Sequence, residues 1–309
     1  MRQLAVVTGG AGFIGSHLTD ALVGRGWDVA IVDDLSTGSR KNVSPGATLH
    51  VVDIRKPAAA ALIRKLKPHA VFHLGAQVSV TESLKRPATD AETNLLATTN
   101  LLEASADAKV KRFVFASSAA VFGTLDMPLP MDESAPIAPE SPYGITKYAG
   151  ERFGAFYRSS RKLPFVALRF ANVYGPRQSR VGEAGVVATF AKRMLAKQPV
   201  RVNGDGTQTR DFVYVGDVVE AMLAALDRPK AVGPFHVGTG VETSIADLFR
   251  RIAKETGYRK RAQKGPKDTN AVIRSALDAR KAAGELAWKP AVGLDEGLRE
   301  TIAWFREHP

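Results

Sequence analysis

A glycine-rich turn near the start of the chain constrains its fold more than any other feature. The turn, Gly9-Gly10-Ala11-Gly12-Phe13-Ile14-Gly15, follows the apolar run LAVV and precedes a segment with helical spacing that ends near residue 23. Without Cβ atoms, Gly10 and Gly12 allow a sharp turn whose N–H groups can approach a pyrophosphate, while Gly15 lets the helix lie close to the strand. Strand, glycine turn and helix in this order predict a dinucleotide-binding site.

A carboxylate at a set distance from this turn narrows the choice of dinucleotide. The second apolar run, residues 29–32, ends in Asp33, where a carboxylate is placed to accept from both hydroxyls of an adenosine ribose. Because Asp33 would repel a 2′-phosphate, the sequence favours NAD over NADP. Arg40 and Lys41 follow closely and supply cations for that phosphate, which weakens the distinction.

The composition limits the class of protein. With 309 residues, 45% of them hydrophobic, the chain can bury one large core with an attached lobe, or two domains. It has no cysteine, which excludes disulfides, thiolate metal sites and a thiol nucleophile, and we predict no metal. The first strand begins almost at Met1, and no apolar run reaches the roughly 20 residues of a membrane span. We therefore expect a cytoplasmic protein with no membrane partner.

The formal net charge of +12 raises nucleic-acid binding as an alternative. The densest basic segments are Arg250-Arg251 and residues 258–261, followed by Lys264 and Lys267. Elsewhere the charges are scattered, so we interpret these segments as a solvated face and predict no nucleic-acid partner. The same charge balance suits an anionic small substrate.

Alternating strand-like and helical segments predict the fold class. Apolar runs at 49–52, 70–74, 112–116 and 165–170 alternate with helical patterns, among them 89–108 and 143–161. Such alternation is typical of right-handed βαβ crossovers, so we predict an α/β fold built on a doubly wound parallel (Rossmann) sheet. Residues 1–175 are expected to form this NAD-binding domain.

The second part of the chain has shorter elements and more glycine and proline. Helices are expected near 186–195, 215–226, 245–255 and 294–305. We predict a smaller, mixed α/β C-terminal substrate lobe formed by residues 176–207 and 241–309. The intervening stretch, 208–240, is expected to return to the sheet through strands at 213–215 and 235–237.

Tyr143 and Lys147 are the strongest candidates for catalysis. They are four residues apart and lie on one face of a predicted helix, where they can share a site. Bringing a tyrosine pKa from about 10 to near 7 takes roughly 4 kcal/mol, which a neighbouring ammonium and a cationic cofactor ring can supply. Ser118 ends the strand before this helix and could donate to a substrate oxygen, although serine there also caps turns.

At this point the sequence resembles the extended short-chain dehydrogenase/reductases, and within them the nucleotide-sugar 4-epimerases of UDP-glucose 4-epimerase type. The likeness covers nearly the whole chain and rests on eight blocks in the family's order. These are TGGAGFIG (8–15), DDLSTG (33–38), DIR (53–55), HLGAQ (73–77), SSAAVFG (117–123), YGITK (143–147), NVYGPR (172–177) and TRDFVYV (209–215).

The resemblance implies a role for each matching residue. Ser118, Tyr143 and Lys147 would be catalytic, with Tyr143 as the base. The residues implied to bind NAD are Gly9, Gly12, Phe13, Ile14, Gly15, Asp33, Asp34, Leu35, Ser36, Thr37, Gly38, Asp53, Ile54, Leu74, Gly75, Ala76, Asn94, Tyr143 and Lys147. Those implied to bind a nucleotide-diphosphate sugar, a UDP-hexose, are Ser118, Tyr143, Asn172, Gly185, Val186, Val187 and Arg210.

Two alanines bear on which reaction is implied. Family members that dehydrate or decarboxylate the sugar usually carry an acidic residue just after the serine or threonine of the fifth strand, where this chain has Ala119 and Ala120. The implied reaction is therefore oxidation at C4 followed by reduction from the sugar's other face. Two departures from the family concern the sugar: Phe122 replaces a common tyrosine, and the loop 264–274 leaves Lys267 or Arg274, or neither, as a substrate contact.

Two other classes of function remain open. One is another nucleotide-sugar oxidoreductase or reductase, which a freely exchanging cofactor would favour over a retained one. The other is a non-catalytic protein that binds RNA through its basic surface, which the intact set of Ser118, Tyr143 and Lys147 disfavours. The resemblance also implies a homodimer, formed through helices 89–108 and 143–161 packed as a four-helix bundle. Glucose, N-acetylglucosamine and glucuronate all remain open as the sugar.

Overall fold

The computed structural model describes residues 2–124, 127–178, 185–266 and 272–308. The strands in chain order are β1 (Leu4–Thr8), β2 (Asp28–Asp33), β3 (Ala47–Val51), β4 (Ala70–His73), β5 (Arg112–Ser118), β6 (Phe165–Phe170), β7 (Asn172–Tyr174), β8 (Arg201–Asn203), β9 (Thr209–Tyr214), β10 (Gly233–Val237), β11 (Glu242–Ser244) and β12 (Gln263–Gly265).

The α-helices are α1 (Phe13–Gly24), α2 (Pro57–Leu66), α3 (Val80–Lys85), α4 (Pro87–Ala91), α5 (Ala97–Asp107), α6 (Pro142–Arg161), α7 (Val186–Leu195), α8 (Val215–Asp227), α9 (Ile245–Thr256), α10 (Arg280–Glu285) and α11 (Leu294–Glu307). Short 3₁₀ helices span Arg40–Asn42 and Ala119–Val121, and a π-helical segment, Glu92–Leu96, joins α4 to α5. None of the described helices has the length and apolar character of a membrane span.

Seven of the strands form one parallel sheet in the order β10-β6-β5-β4-β1-β2-β3. This confirms the predicted doubly wound α/β sheet. Its strand order reverses between β1 and β4, and in open α/β sheets ligands bind beyond the carboxyl ends of the strands at such a reversal. The glycine turn follows β1 directly, so it lies at this point.

Both faces of the sheet are covered by helices, which explains why the strands are continuous apolar runs. Helices α1 and α8 cover one face, where Leu18 and Met222 are fully buried. Helices α2, α5 and α6 cover the other, around the buried Leu101 and Phe113. Helix α6 begins at a serine cap, since the hydroxyl of Ser141 accepts from the Gly144 amide, and it ends where Lys162 adopts a left-handed conformation.

The return of the chain to the large sheet differs from the prediction. Residues 235–237 do join it, because β10 pairs with β6, and α8 packs against it. The strand expected at 213–215 does not: β9 lies in a separate sheet of order β11-β9-β7, antiparallel to β11 and parallel to β7. The reason is that β10 occupies the edge position beside β6, so β9 cannot pair there. One residue separates the end of β6 from the start of β7, and β9 pairs with β7 instead.

The remaining elements form a smaller lobe with its own core, as predicted for a mixed α/β lobe. Helices α7, α9 and α11 pack around Phe190, Leu248 and Ile302 beside this second sheet, and β8 pairs with β12. Two contacts join α1 to the chain after β7: a His17 ring nitrogen lies 3.0 Å from the Pro176 carbonyl, and Arg177 pairs with Asp20 at 2.7 Å.

A buried ion pair fastens α6 to the sheet. The guanidinium of Arg169 on β6 donates to both carboxylate oxygens of Glu151, at 2.9 and 2.7 Å, and the Ser117 hydroxyl donates to the same carboxylate. Both charged side chains are almost fully shielded from water. Removing one partner of such a pair leaves an uncompensated buried charge, which costs more than the intact pair contributes.

We therefore expect Glu151→Ala to lower the free energy of unfolding by about 3–5 kcal/mol, measured by urea denaturation. The matched control is Glu82→Ala, because Glu82 pairs with Arg86 at 3.2 Å on the exposed surface. That control is expected to cost less than about 1 kcal/mol. A loss in Glu151→Ala no larger than in the control would contradict a structural role for the pair.

Candidate active site

Gly9 and Gly15 in the glycine turn are packed too closely against backbone atoms to be replaced by residues with side chains. Gly12 caps the amino terminus of α1, and its amide donates to the Gly9 carbonyl. A Cβ added to Gly15 would lie 2.2 Å from that carbonyl oxygen, and one added to Gly9 would lie 2.8 Å from the amide nitrogen of Gly75. The turn therefore lies against both the first turn of α1, with Phe13 and Ile14, and the loop that follows β4.

Asp33 stands at the carboxyl end of β2, beside the glycine turn. Its carboxylate accepts from the amides of Ala11, at 3.0 Å, and Leu35, at 2.9 Å, and burial raises its pKa while these amides lower it. A Cβ on Gly38 would lie 2.8 Å from one carboxylate oxygen. Each carboxylate oxygen accepts more than one hydrogen bond, so Asp33 can hold the turn together and still meet a ribose. That ribose contact stays a prediction.

The other predicted adenosine contacts lie around the same edge of the sheet. In the loop after β2, the carboxylate of Asp34 accepts from the amide and hydroxyl of Ser36, with Thr37 next in the chain. After β3, Asp53 is paired with Arg55, whose guanidinium lowers the pKa of Asp53. The Ile54 side chain is 3.4 Å from where a Cβ on Gly75 would lie.

The predicted catalytic residues lie on two segments that meet, the turn after β5 and the first turns of α6. The Ser118 hydroxyl oxygen accepts from the Ala120 amide at 3.1 Å and so caps the 3₁₀ turn, which is the structural role considered for it. Tyr143 lies in the first turn of α6, next to Gly144. A Cβ on Gly144 would lie 2.3 Å from the Ala120 carbonyl oxygen, so the Ser118 turn and the start of α6 are in direct contact.

Lys147 is buried beneath this contact. Its ammonium donates to the Ala116 carbonyl at 3.0 Å and lies 5.1 Å from the centre of the Phe115 ring and 5.7 Å from that of Tyr143. Burial lowers the pKa of Lys147 to about 8, and the charge of Asp90 opposes that shift. Phenol and ammonium thus share one face of α6, as their spacing predicts.

A chain of hydrogen bonds through His73 was not predicted from the sequence. The Thr98 hydroxyl donates to the Asn94 carbonyl at 2.6 Å and so must accept from Nε2 of His73, at 2.9 Å. This leaves Nδ1 of His73 to accept from the Thr8 hydroxyl, at 2.7 Å, whose oxygen in turn accepts from the amides of Leu74 and Gly75. The chain fixes the loop 74–76 relative to β1 and the π segment.

Asn94 and Gln77 form a second connection that the sequence did not reveal. The Asn94 amide side chain pairs with both backbone groups of Gln77, and both side chains donate to the buried carboxylate of Asp90. The same carboxylate accepts from the hydroxyl of Thr146, between Tyr143 and Lys147 on α6. The only sequence signal was the position of Gln77 in a family block and of Asn94 among the implied cofactor residues.

The predicted substrate residues lie on the smaller lobe. Asn172 on β7 pairs with Phe212 on β9, two residues from Arg210, so alternation places Asn172 and Arg210 on the same face of that sheet. Arg210 donates to the Thr209 carbonyl, and burial lowers its pKa with no offset from a carboxylate of the described residues. Gly185 caps α7, whose first turn contains Val186 and Val187.

The two departures from the family pattern have different outcomes. The ring of Phe122 is fully buried against His236 and Arg169, so it faces neighbouring side chains and not an open site. Arg274 forms a double hydrogen bond with Glu242 on β11, the strand beside that of Arg210. Lys267 lies outside the described residues.

These features fit a dinucleotide. A turn whose glycines leave no space for side chains, a helix amino terminus behind it and a carboxylate at the end of β2 are the elements that hold an adenine dinucleotide. No group of three or more metal-ligating side chains occurs in the part of the chain described here. The sheet, the turn and the Tyr143–Lys147 helix together define an extended short-chain dehydrogenase/reductase, as the sequence predicted.

Comparisons with known proteins agree with this class. The profile of the NAD dependent epimerase/dehydratase family matches residues 5–238. The UDP-glucose 4-epimerase of Mycolicibacterium smegmatis is 41% identical over 312 residues, covering 99% of both chains. The structure of the Thermotoga maritima UDP-glucose 4-epimerase with UDP-glucose has a TM-score of 0.97 and 42% identity, covering 99% of each chain.

The Thermus thermophilus UDP-glucose 4-epimerase in complex with NAD has a TM-score of 0.93 and 40% identity, covering 98% of this chain and 99% of that one. A UDP-N-acetyl-alpha-D-glucosaminuronate decarboxylase of Bacillus cytotoxicus is 32% identical, covering 99% of both chains. The chain belongs to the NAD dependent epimerase/dehydratase family. The predicted cofactor, NAD, is thus confirmed at the level of the family.

The buried ring of His73 is expected to make stability depend on pH. Burial lowers the pKa of His73 to about 3, against 6.5 when exposed, so between these values the unfolded chain binds a proton that the folded chain does not. As far as His73 is concerned, the folded protein therefore keeps its full stability above pH 6.5 and loses stability as the pH falls from 6.5 towards 3.

We expect His73→Gln to make the free energy of unfolding less steeply dependent on pH between 6 and 4.5, by up to about 1.4 kcal/mol per pH unit. Urea denaturation at a series of pH values measures the slope. Equal slopes for the variant and the wild type would show that His73 takes up its proton in the folded state.

Proposed function

We propose that this protein catalyses the NAD-dependent 4-epimerisation of a nucleotide-diphosphate sugar of the UDP-glucose/UDP-galactose type through a transient 4-keto sugar. The observation that carries the proposal is the position of Tyr143 and Lys147 on a helix that meets the Ser118 turn at Gly144. That turn has Ala119 and Ala120 where an acid would stand. Proton transfer at one hydroxyl is possible there, whereas elimination or proton removal elsewhere on the sugar needs a further acid or base.

Three side chains have separate roles at the reacting hydroxyl. Tyr143 accepts the proton of the C4 hydroxyl and returns one to the 4-keto oxygen, and Ser118 donates a hydrogen bond to that oxygen. The ammonium of Lys147, held on the Ala116 carbonyl, favours removal of the proton from the phenol. When bound, NAD supplies the hydride acceptor for the oxidation and the hydride donor for the reduction.

The proposed NAD site comprises the glycine turn, Asp33, the loop 34–38, Asp53, Ile54 and the loop 74–76. Asn94 supports that last loop through the backbone of Gln77. The NAD dependence is supported by the family match and by relatives whose structures contain NAD.

For the substrate we propose the face of the small sheet that carries Asn172 and Arg210, together with the amino terminus of α7. A guanidinium and the amides at a helix amino terminus are donors suited to a diphosphate. Residues 176–207 and 241–309, together with β7 and β9, are accordingly proposed as the substrate lobe. Since these donors hold the nucleotide and not the hexose, the sugar can present either face at C4. A cytoplasmic location is proposed with this function.

Decarboxylation and simple oxidation are the competing activities. A relative named as a decarboxylase shows that the family includes this chemistry. Ala119 and Ala120 argue against it for this chain, because neither can act as an acid or a base. A dehydrogenase or reductase would release its reduced or oxidised cofactor in each cycle, whereas an epimerase regenerates it.

The test is to incubate the purified protein, without added NAD and then with it, with UDP-glucose or UDP-galactose, and to follow the C4 epimer by anomeric proton NMR. The N-acetylated and uronic acid sugars follow. We expect turnover, and at least about a 100-fold loss in Tyr143→Phe because the base is removed. The matched control, Tyr157→Phe, removes a phenol 14 residues further along α6, about 21 Å away, and should retain activity.

Each alternative gives a different product in the same experiment. Net formation of NADH with an oxidised sugar would identify a dehydrogenase, and loss of the carboxyl group from the uronic acid sugar would identify a decarboxylase. If no epimer forms from any of these sugars with NAD present, the epimerase proposal fails for this set.

We also propose that the protein is a homodimer formed through α6. Five of the ten exposed large hydrophobic side chains among the described residues lie on α3, the π segment and α6: Leu84, Leu96, Ile145, Phe153 and Phe156. Phe156 is 58% exposed and Ile145 52%. A second copy of the same helix is the partner that would cover this apolar face, because large exposed patches mark interfaces.

Phe156→Glu is expected to shift sedimentation velocity profiles from dimer to monomer at micromolar concentration, because a charge would be buried in the interface. The control is Val241→Glu, which places the same charge on an exposed residue of the smaller lobe. A wild-type protein that sediments as a monomer, or a Phe156→Glu variant that stays dimeric, would contradict a dimer formed through α6.

A further inference from the structure

We propose that Asp90 is a positioning residue for the reaction: its buried carboxylate fixes the catalytic helix α6 to the cofactor loop and is the negative charge that faces Lys147. The inference rests on the proposed function for its effect on turnover. Its effect on Lys147 can be measured without any turnover.

Asp90 is enclosed by side chains that all donate to it. It is 1% exposed, and its carboxylate accepts from the Thr146 hydroxyl at 2.7 Å, the Gln77 amide at 2.8 Å and the Asn94 amide at 3.0 Å. These donors come from α6, from the loop after β4 and from the π segment. A buried carboxylate is tolerated when its lone pairs are satisfied in this way.

The three donors are placed next to functional groups. Thr146 lies in the turn between Tyr143 and Lys147, and its hydroxyl is also 3.1 Å from the Tyr143 carbonyl. Gln77 follows the loop 74–76, and its backbone is clamped by Asn94. Asp90 therefore links the helix that bears the proposed base to the loop proposed to line the cofactor.

Asp90 also provides charge where Lys147 needs it. Lys147 is fully buried, and its ammonium donates to a neutral carbonyl. Burial lowers the pKa of Lys147, and the negative charge of Asp90 raises it. His73 on β4 also faces Lys147 and is neutral at physiological pH. Tyr143 is the third titratable group, and it lies on the same helix.

The other charged side chains on the elements packed against α6 either bind other groups or are exposed to solvent. Glu82 pairs with Arg86, Glu103 and Asp107 pair with Arg64, Arg169 pairs with Glu151, Arg112 donates to backbone carbonyls near residues 225–231, and Glu92 and Lys85 are exposed. Neutralising Asp90 should therefore change the field at Lys147 more than neutralising any of these.

The experiment compares Asp90→Asn with Thr146→Val. Asp90→Asn removes the charge and keeps the size, whereas Thr146→Val removes one hydrogen bond to the carboxylate and keeps the charge. The titration midpoint of Lys147 is followed by NMR of protein labelled at the lysine Cε, with the signal assigned by its absence in Lys147→Met.

We expect the Lys147 midpoint, near pH 8 in the wild type, to fall by about 1 pH unit in Asp90→Asn and to stay in place in Thr146→Val. The basic limb of the kcat–pH profile should move by the same amount, since turnover needs the ammonium. A purely structural role predicts lower turnover in both variants with neither midpoint nor limb displaced.

An unchanged midpoint in Asp90→Asn, or an equal fall in Thr146→Val, would overturn the proposal. If Asp90→Asn does not fold, Asp90→Ser removes the same charge with a smaller side chain and carries the same expectation. A midpoint that falls in a protein that epimerises none of the sugars would refute the proposed function and leave the role of Asp90 at Lys147 intact.

Discussion

The close approach of α1 to the turn that follows β1 is the constraint on which the rest of the site depends. A Cβ at Gly15 would collide with the Gly9 carbonyl, and a Cβ at Gly9 with the backbone of Gly75. Three chain segments thus meet where the strand order reverses. The amino terminus of α1 lies there, with Gly12, Phe13 and Ile14 half-buried, and the carboxylate of Asp33 holds the turn through the amides of Ala11 and Leu35.

The sequence predicted the parts of the fold that local patterns determine. Apolar runs before residue 175 predicted β1 to β6, which are six of the seven strands of the large sheet. The seventh, β10, was placed correctly because 235–237 is a short strand-like run after a helix. The strand at 213–215 was assigned to the wrong sheet. Its own residues read as a strand in either sheet, and the choice was decided by β7, a three-residue strand too short to be recognised from periodicity.

Tyr143, Lys147 and Ser118 were predictable because spacing on a helix and position at a strand end are local properties. The buried polar network could not be predicted, since His73, Thr98, Asp90 and Thr146 come from four separate elements. Nothing in the neighbours of Asp90 along the chain indicates that it will be buried; an aspartate after a proline in a helix is typical of an exposed first turn. Asp90 is buried because α4 packs on α6 and because Gln77 and Asn94 close over its carboxylate.

Helix α6 has two functional faces, and this ties the chemistry to the proposed assembly. Tyr143, Thr146, Lys147 and Glu151 recur at spacings of three and four and point into the protein, where each contacts a buried partner. Ile145 and Phe156 lie on the opposite side, Phe153 lies at the edge between the two faces, and all three are exposed in a single chain. A partner that covers the apolar side would press α6 onto β5, and the contact between Gly144 and the Ala120 carbonyl leaves no space for the helix to shift. An association through this face would therefore hold the geometry of Tyr143 and Ser118 in place without contributing a residue to the site.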